Sequence, residues 1–411
     1  MYPRNIRQFA LDALSDSPVV LINGARQTGK STLVKGLEPK ARYLTFDDPA
    51  VLAAAQADPF GFIAALKGPV CLDEVQRAAG IFLAIKAQVD KDRTPGRFLL
   101  TGSANILLLP QIADSLAGRM EVLALWPLSQ SEIADHPLSL IDCVFQGTFA
   151  DRYPYDRQDF IERMTAGGYP EALGRSSERR REAWFDSYLS TILLRDVRDL
   201  AQIEGLTELP RLTQLLAARS GGLLNAAELS RTSGIAQTTL KRYLTLLETL
   251  FLIRLVPAWS SNLGKRLQKS PKLFLSDYGL MAHLQGLSTT ALLSGHGLPG
   301  DLVEAFVHSE LAKHQTWAGM RTNLMHYRTS TGVEVDFVLE NRRNELVGIE
   351  VKAATTIASK DFNGLRHLRE TTPQQFRRGI VFYTGEQVVH FDEQLIAVPL
   401  SMLWSDGSPP R

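Results

Sequence analysis

The chain has 411 residues, of which 45% are hydrophobic and 22% are charged, and its formal net charge is +1. This length predicts two or three domains, and the composition is that of a soluble globular protein. The near-zero charge excludes a global field that attracts nucleic acid, so any such surface must be local. Two cysteines exclude a disulfide framework, and no apolar run has the length of a signal peptide or membrane span. We expect a cytoplasmic protein with no membrane contact.

A phosphate-binding motif follows the first apolar strand, at residues 19–22. Residues 24–31 fit G-x-x-x-x-G-K-[ST], in which glycines let backbone N–H groups surround an anion. The lysine reaches the β- and γ-phosphates, the hydroxyl binds Mg²⁺, and the helix behind the loop adds a positive dipole end. The alternative is a glycine-rich turn with a chance lysine. The expected nucleotide ligands are Gly24, Gln27, Thr28, Gly29, Lys30, Ser31 and Thr32, with Ser31 also on the metal.

Residues 1–150 are predicted to form the first domain, because apolar runs alternate there with helical stretches. This alternation predicts a parallel sheet with its ligand site at the carboxyl ends of the strands. One such end carries Asp73 and Glu74, which we assign to Mg²⁺ and to the attacking water respectively. The alternative is a solvated pair of acids. The next strand ends in Thr101, Ser103 and Asn105, which either touch the γ-phosphate or form a turn.

The segments LLTGSA, SLAGRM and LWPLSQSEI follow these motifs in order. The whole pattern resembles the AAA+ ATPases, and more narrowly the bacterial and archaeal group of predicted AAA-family ATPases fused to an uncharacterised C-terminal domain. The resemblance covers essentially the whole chain, and Arg26 and Gln27 are typical of that group. It implies ATP with Mg²⁺, since the loop itself does not distinguish bases. It also implies that Arg119 is an arginine finger or sensor, in cis or from a neighbouring subunit, with a structural ion pair as the alternative.

Residues 151–280 are predicted to be helical and to include a winged helix-turn-helix. Between residues 175 and 270 there are 15 Lys/Arg and 9 Asp/Glu, a basic surplus of six. A helix, a turn at Ser233-Gly234 and a second helix with one apolar face precede two strands that would form the wing. Such modules either bind DNA or pack within ATPases. The residues expected to face DNA are Gln237, Thr238, Lys241 and Arg242 on the second helix, and Lys265, Arg266 and Lys269 between the strands.

One further pair in this middle region, Arg195-Asp196, ends a helix in the same family pattern. An intramolecular ion pair is its simple interpretation, and a phosphate-sensing arginine is the alternative.

The last predicted domain, residues 281–411, carries a second constellation. Asp336 lies on an alternating strand, and Glu350 and Lys352 share one face of the next strand. A metal-dependent phosphodiesterase needs such a set: Asp336 and Glu350 would bind Mg²⁺, Lys352 would orient the water, and Glu304 would complete the metal shell. The pattern resembles the PD-(D/E)xK restriction-endonuclease-like fold, with Val335 in place of the proline. The resemblance implies nucleic acid as a partner, although the fold also occurs as a non-cutting scaffold.

A chance pairing of Glu and Lys on exposed strands is the alternative to this site. The histidines show no metal-ligand spacing and are expected to be ordinary polar residues: His308, His314, His326 and His367.

The fold class is therefore predicted as α/β, with an AAA+ P-loop parallel-sheet ATPase domain, a helical and winged-helix middle, and a PD-(D/E)xK nuclease-like C-terminal domain. Three functions fit this organisation. The first is an ATP-hydrolysing protein that acts on DNA with a metal-dependent nuclease-like domain. The second is an ATP-dependent switch whose C-terminal domain binds nucleic acid or protein without cleavage. The third is a signalling ATPase whose winged helix only packs internally. A trans role of Arg119 would require a homo-oligomer.

Overall fold

The computed structural model describes residues 2–38, 40–104, 116, 118–136, 138–193, 197, 206–295 and 297–407. Asn105, Arg195 and Asp196, which the sequence singled out, lie outside these residues. The chain forms two compact units. The N-terminal unit comprises Arg4–Pro127 with Leu247–Phe251, and the C-terminal unit comprises Leu128–Leu246 and Leu252–Arg411 together with Met1–Pro3. The boundaries expected near residues 150 and 280 stay predictions, and both fall inside the C-terminal unit.

The N-terminal unit is built on a five-stranded sheet with the order β2-β3-β4-β1-β5. Every strand pair in it is parallel, which confirms the parallel α/β domain expected from the alternating pattern. Its strands are β1 (Val19–Asn23), β2 (Arg42–Thr45), β3 (Val70–Asp73), β4 (Phe98–Gly102) and β5 (Met120–Ala124). Its helices are α1 (Arg7–Asp16), α2 (Lys30–Leu37), α3 (Pro49–Ala57), α4 (Pro59–Ala65) and α5 (Ile81–Lys91).

Strand β1 is buried along its whole length because it pairs on both edges and is covered on both faces. Side chains alternate across a strand, so neighbouring residues enter different cores. Val19 and Leu21 lie in a cluster that includes Ile85 of α5, whereas Val20 and Ile22 lie in one that includes Leu33 of α2. The central strand thereby holds the loop that follows it in a fixed position.

The C-terminal unit contains a six-stranded mixed sheet with the order β12-β13-β11-β10-β9-β8 and a separate two-stranded sheet, β6-β7. The strands are β6 (Ile253–Val256), β7 (Lys272–Leu275), β8 (Thr322–Arg328), β9 (Glu334–Asn341), β10 (Leu346–Lys352), β11 (Phe376–Tyr383), β12 (Val389–His390) and β13 (Leu395–Pro399). Strand β9 pairs antiparallel with β8 and β10, whereas β10, β11 and β13 run parallel. This sheet positions the second predicted site.

Helices follow residue 128 in three groups along the chain. The first group is α6 (Gln130–Ile133), α7 (Leu140–Gln146), α8 (Arg157–Ala166), α9 (Pro170–Leu173) and α10 (Glu178–Thr191). The second group is α11 (Leu209–Ala217), α12 (Ala226–Ser233), α13 (Gln237–Thr249) and α14 (Leu263–Gln268). The third group is α15 (Tyr278–Leu284), α16 (Thr289–Ser294), α17 (Gly300–His314) and α18 (Asn363–Thr371). Within the described ranges, none of the helices has the length and apolarity to cross a bilayer.

Helices α12 and α13 are joined by a short turn, as the sequence pattern predicted. The Asn225 side chain caps α12 by accepting the Glu228 N–H at 3.1 Å, and Gly234 makes the turn with φ of 77°. Strands β6 and β7 then pair antiparallel. The segment between them differs from an extended wing tip, because residues 263–268 form the short helix α14.

Candidate functional site

The lysine of the phosphate-binding loop donates hydrogen bonds to carbonyl oxygens of the loop itself. Lys30 is 5% exposed, and its Nζ donates to the carbonyl oxygens of Gly24 at 3.0 Å and Ala25 at 2.8 Å. The loop needs its glycines. A Cβ on Gly24 would lie 2.1 Å from the carbonyl oxygen of Leu125, and Gly29 has φ of 92°. The lysine therefore lies inside a loop shaped by backbone, where a phosphate can replace the two carbonyl oxygens as its partner.

Three hydroxyl groups surround the carboxylate of Asp73 at the end of β3. The Ser31 Oγ lies 3.1 and 3.3 Å from its two oxygens, and the hydroxyls of Tyr43 and Thr101 also donate to it. Burial and the hydrogen bond to Asp73 raise the pKa of Tyr43, so the phenol keeps its proton and donates. The structure thus brings together the Ser31 and Asp73 side chains that the sequence assigned to Mg²⁺.

Glu74 lies next to Asp73 in a left-handed conformation, with φ of 59°. Its backbone N–H donates to Thr101 Oγ1 at 3.2 Å, and its carboxylate accepts from Ser103 Oγ at 2.9 Å and from the amide of Gln76. Sequence reasoning missed Gln76 and Tyr43. Gln76 follows Glu74 by two residues in a 3₁₀ turn, and Tyr43 stands on the neighbouring strand. Only the parallel register of β2 with β3 brings Tyr43 to Asp73.

Arg119 forms the ion pair that the sequence left as an alternative. Its Nε lies 2.5 Å from Asp90 Oδ1. It immediately precedes β5, whose first residue Met120 pairs with Val19, the first residue of β1. The phosphate-binding loop follows the opposite end of β1, and a five-residue strand rises about 13 Å from first to last residue. Arg119 thus lies at the amino edge of the sheet, away from its own loop.

The first site fits ATP with Mg²⁺. Its donor set combines a buried ammonium group, a serine hydroxyl and a carboxylate at the carboxyl edge of a parallel sheet. Mg²⁺ prefers oxygen ligands, and Ser31 and Asp73 supply them side by side. The first turn of α2 adds backbone N–H groups beside the loop.

The second site lies where β9 and β10 run side by side. Glu350 and Lys352 are joined by a 3.2 Å contact, and the Val351 N–H between them donates to Asp336 Oδ2 at 2.9 Å. Glu304 approaches from α17. Burial, reinforced by the charge of Asp336, raises the pKa of both Glu304 and Glu350. The structure thus brings the four predicted residues into one neighbourhood.

Sequence reasoning missed the cation at the centre of this neighbourhood. Lys272, the first residue of β7, has a side chain that is 3% exposed. Its Nζ lies 2.8 Å from Glu304, 2.7 Å from Glu334 and 3.5 Å from Asp336. Burial lowers the pKa of this ammonium group, but the carboxylates of Glu304 and Asp336 outweigh that and raise the pKa, so the lysine stays charged.

No group of three or more His, Cys, Asp or Glu side chains is arranged to hold a metal ion among the residues that the structure describes. The metal-binding roles of Glu304, Asp336 and Glu350 therefore stay predictions. The same holds for the water-orienting role of Lys352.

The residues expected to face DNA fall into two classes. Four are exposed on α13: Gln237, Thr238, Lys241 and Arg242. Two basic residues between β6 and β7, Arg266 and the exposed Lys269, contact the six-stranded sheet. Arg266 makes a bidentate pair with Glu340 at 2.7 and 2.8 Å, and Lys269 donates to the Arg328 carbonyl oxygen at 2.8 Å. The side chain of Lys265 lies outside the described structure. Arg266 is thus an internal ion-pair residue rather than part of an exposed basic surface.

Three family models match successive parts of the chain. Residues 16–134 match the AAA domain family, residues 157–291 match a domain of unknown function (DUF8612), and residues 299–403 match another (DUF4143). ATP with Mg²⁺ is the usual cofactor of AAA domains, which agrees with the fit of the first site. Among solved structures, a Walker-type ATPase of Pyrococcus abyssi aligns with a TM-score of 0.43 and 12% identity, over 69% of this chain and 96% of that one.

The chain also resembles whole proteins along most of its length. It is 31% identical to the uncharacterised proteins Rv2008c of Mycobacterium tuberculosis and Mb2031c of Mycobacterium bovis, over 96% of this chain and 83% of each relative. An uncharacterised protein of Haemophilus influenzae is 25% identical over 65% of this chain and 69% of its own length. The chain belongs to the family of these two mycobacterial proteins, and its N-terminal region is an AAA-family P-loop ATPase domain.

Proposed function

We propose that this protein is an ATP-hydrolysing AAA-type switch that acts on DNA and that its C-terminal domain binds its partner without cleavage. The ATPase part rests on one observation: the Ser31 hydroxyl donates to the Asp73 carboxylate at 3.1 Å, next to the buried Lys30. Hydrolysis needs a residue that orients water next to the metal site. Glu74 stands there, one residue beyond Asp73.

Each residue of the first site has a separate role in ATP hydrolysis. Lys30 would exchange the carbonyl oxygens of its loop for phosphate oxygens, and Ser31 and Asp73 would hold Mg²⁺. When bound, the metal neutralises charge that develops on the phosphates. Glu74 accepts hydrogen bonds from Ser103 and Gln76, so these two residues set the direction of its carboxylate. For the role in trans, Arg119 at the amino edge of the sheet would exchange its ion pair with Asp90 for the nucleotide of a neighbouring subunit.

The DNA-binding part of the proposal rests on α13. Its residues Gln237, Thr238, Lys241 and Arg242 are all exposed at the start of the second helix of the helix-turn-helix, where a recognition helix meets the major groove. We name α11–α13 with β6 and β7 a winged-helix module on this basis. Its wing contributes little to DNA binding, because Arg266 and Lys269 are engaged by the neighbouring sheet.

The test is an ATPase assay with and without double-stranded DNA, together with a DNA-binding titration at several salt concentrations. Lys30→Ala should abolish turnover, and Glu74→Gln should abolish turnover while ATP still binds. Lys241→Ala with Arg242→Ala should reduce the slope of log affinity against log salt by about 2, since each lost phosphate contact removes about one unit. Lys269→Ala is the matched control and should leave the slope unchanged. Turnover in Lys30→Ala, or a salt slope unaffected by the α13 variants, contradicts the respective part of the proposal.

A metal-dependent nuclease is the second candidate, favoured by the meeting of Asp336, Glu350 and Lys352 on adjacent strands. Its test is cleavage of linear, circular and single-stranded DNA with Mg²⁺ or Mn²⁺, in the presence and absence of ATP. Cleavage by the wild type that Lys352→Ala abolishes would establish this candidate. Intact DNA beside Lys30-dependent ATP turnover supports binding without cleavage.

A further inference from the structure

Four carboxylates of the C-terminal domain form ion pairs with cations of the chain itself. We call these four, Glu304, Glu334, Asp336 and Glu350, the acid cluster. Lys272 reaches it from β7, a strand of the two-stranded sheet, whereas its three carboxylate partners belong to α17 and β9. The side chain of Lys272 is 3% exposed, so water does not compete for the ammonium group. A buried charge requires compensation, and these carboxylates provide it.

Two further cations pair with carboxylates of this cluster. Arg328 Nη1 lies 3.3 Å from the second oxygen of Glu334, and Lys352 Nζ lies 3.2 Å from Glu350. Four carboxylates, those of Glu304, Glu334, Asp336 and Glu350, therefore meet three cations. A divalent ion added to this set would bring two positive charges next to Lys272, because Nζ already contacts Glu304 and Asp336.

Lys272 also occupies the oxygens that a metal ion would need. Mg²⁺ requires oxygen ligands at about 2.0–2.1 Å and usually keeps several waters. Lys272 Nζ lies 2.8 Å from Glu304, 2.7 Å from Glu334 and 3.5 Å from Asp336, among the carboxylates that would supply those ligands. The residues present therefore do not fit a hydrated divalent ion at this position.

We propose that Lys272 is a built-in counter-cation that takes the place of the divalent metal in this nuclease-like site. The cluster then joins β7 of the winged-helix module to α17 and β9, and it performs no metal-dependent cleavage. The segment before β7 supports this assignment independently. Arg266 pairs with Glu340 of β9, and the Trp259 N–H donates to the His326 carbonyl oxygen of β8 at 2.6 Å. Residues 257–272 thus contact the six-stranded sheet along β8 and β9.

The inference concerns the acids of the nuclease candidate and does not depend on ATP hydrolysis. The test measures how much Mn²⁺ binds to the full-length chain without nucleotide. Electron paramagnetic resonance detects the bound ion. All variants carry Asp73→Asn, which removes the carboxylate of the first site from the measurement. The compared chains are this background alone, the background with Asp336→Asn, the background with Lys272→Met, the background with both Lys272→Met and Asp336→Asn, and the background with Lys269→Met as the control lysine on the same segment.

We expect no Mn²⁺ bound through Asp336 in the background chain or in Lys269→Met. Lys272→Met should bind about one equivalent, and the added Asp336→Asn should abolish that binding. Mn²⁺ in the background chain that Asp336→Asn removes would overturn the proposal, and so would a folded Lys272→Met chain that binds none. Circular dichroism reports whether Lys272→Met folds. If it does not, the comparison of the background chain with its Asp336→Asn variant decides the question alone.

Discussion

The ion pair between Arg266 and Glu340 joins the segment before β7 to the six-stranded sheet. Breaking it tests how much this pair stabilises the attachment. The side chains are 17% and 8% exposed, and two hydrogen bonds of 2.7 and 2.8 Å join them. The guanidinium group also lies 5.5 Å from the centre of the Trp259 ring. Arg266→Met keeps an unbranched apolar stem but removes the guanidinium group, and so leaves Glu340 buried without its cation. Removing one partner of a buried pair costs about 3–5 kcal/mol.

We expect the lower end of that range, about 3 kcal/mol, because Glu340 keeps the hydrogen bond from Trp259 Nε1 at 3.2 Å. This free energy corresponds to an increase of about two orders of magnitude in local opening. Hydrogen–deuterium exchange measures it at the backbone N–H groups of Trp259 and His326, which join the segment to β8. Arg242→Met, on the exposed face of α13, is the matched control.

Adding Glu340→Gln to Arg266→Met should restore most of the protection, since it removes the unpaired charge and keeps the acceptor for Trp259. Exchange in Arg266→Met within about twofold of the wild type would refute the interpretation of Arg266 as a buried structural residue. It would return Arg266 to the group of residues available for DNA.

Three further predictions concern single residues of the two units. Gly24→Ala should abolish ATP binding in equilibrium dialysis and lower unfolding free energy by about 1–3 kcal/mol, because the added Cβ would lie 2.1 Å from the Leu125 carbonyl oxygen; binding at wild-type affinity would contradict this. Tyr43→Phe should raise the Mg²⁺ concentration for half-maximal turnover, since Asp73 loses a hydroxyl that orients it; an unchanged Mg²⁺ titration would argue against such orientation. Burial lowers the pKa of His326 to about 4, so its contribution to stability is complete above the unfolded value near 6.5 and is lost as the pH falls toward 4. Urea unfolding should show the wild type losing up to about 1.4 kcal/mol per pH unit in that window relative to His326→Gln, and parallel pH profiles would exclude a buried neutral imidazole.

The N-terminal unit was largely predictable because its signals are local in the chain. Residues 24–31 carry their whole motif in eight consecutive positions, and Asp73 ends an apolar strand. The contribution of Tyr43 was not predictable, since it depends on which strand neighbours β3 and in which register. Parallel strands are paired by distant connections, and a single sequence does not specify that order.

In the C-terminal unit, the two-residue period of a strand correctly grouped Glu350 with Lys352 and brought Asp336 beside them. The winged-helix interpretation placed Arg266 in a wing that faces DNA, because it lies with other basic residues between the two strands that follow the second helix. Its partner Glu340 lies 74 residues further along the chain, and Lys272 is 32 residues from Glu304. Local periodicity carries no information about charge pairs at such separations, so the two internal cations were missed.

The position of Arg119 has a consequence for how ATP turnover depends on the amount of protein. An arginine at the amino edge of the sheet completes a site only where another subunit presents its carboxyl edge. With the trans role proposed above, the rate per chain rises with protein concentration and levels off once assembly is complete. Mixing an Arg119→Ala chain with a Lys30→Ala chain would then restore turnover that neither has alone, because each supplies the part that the other lacks.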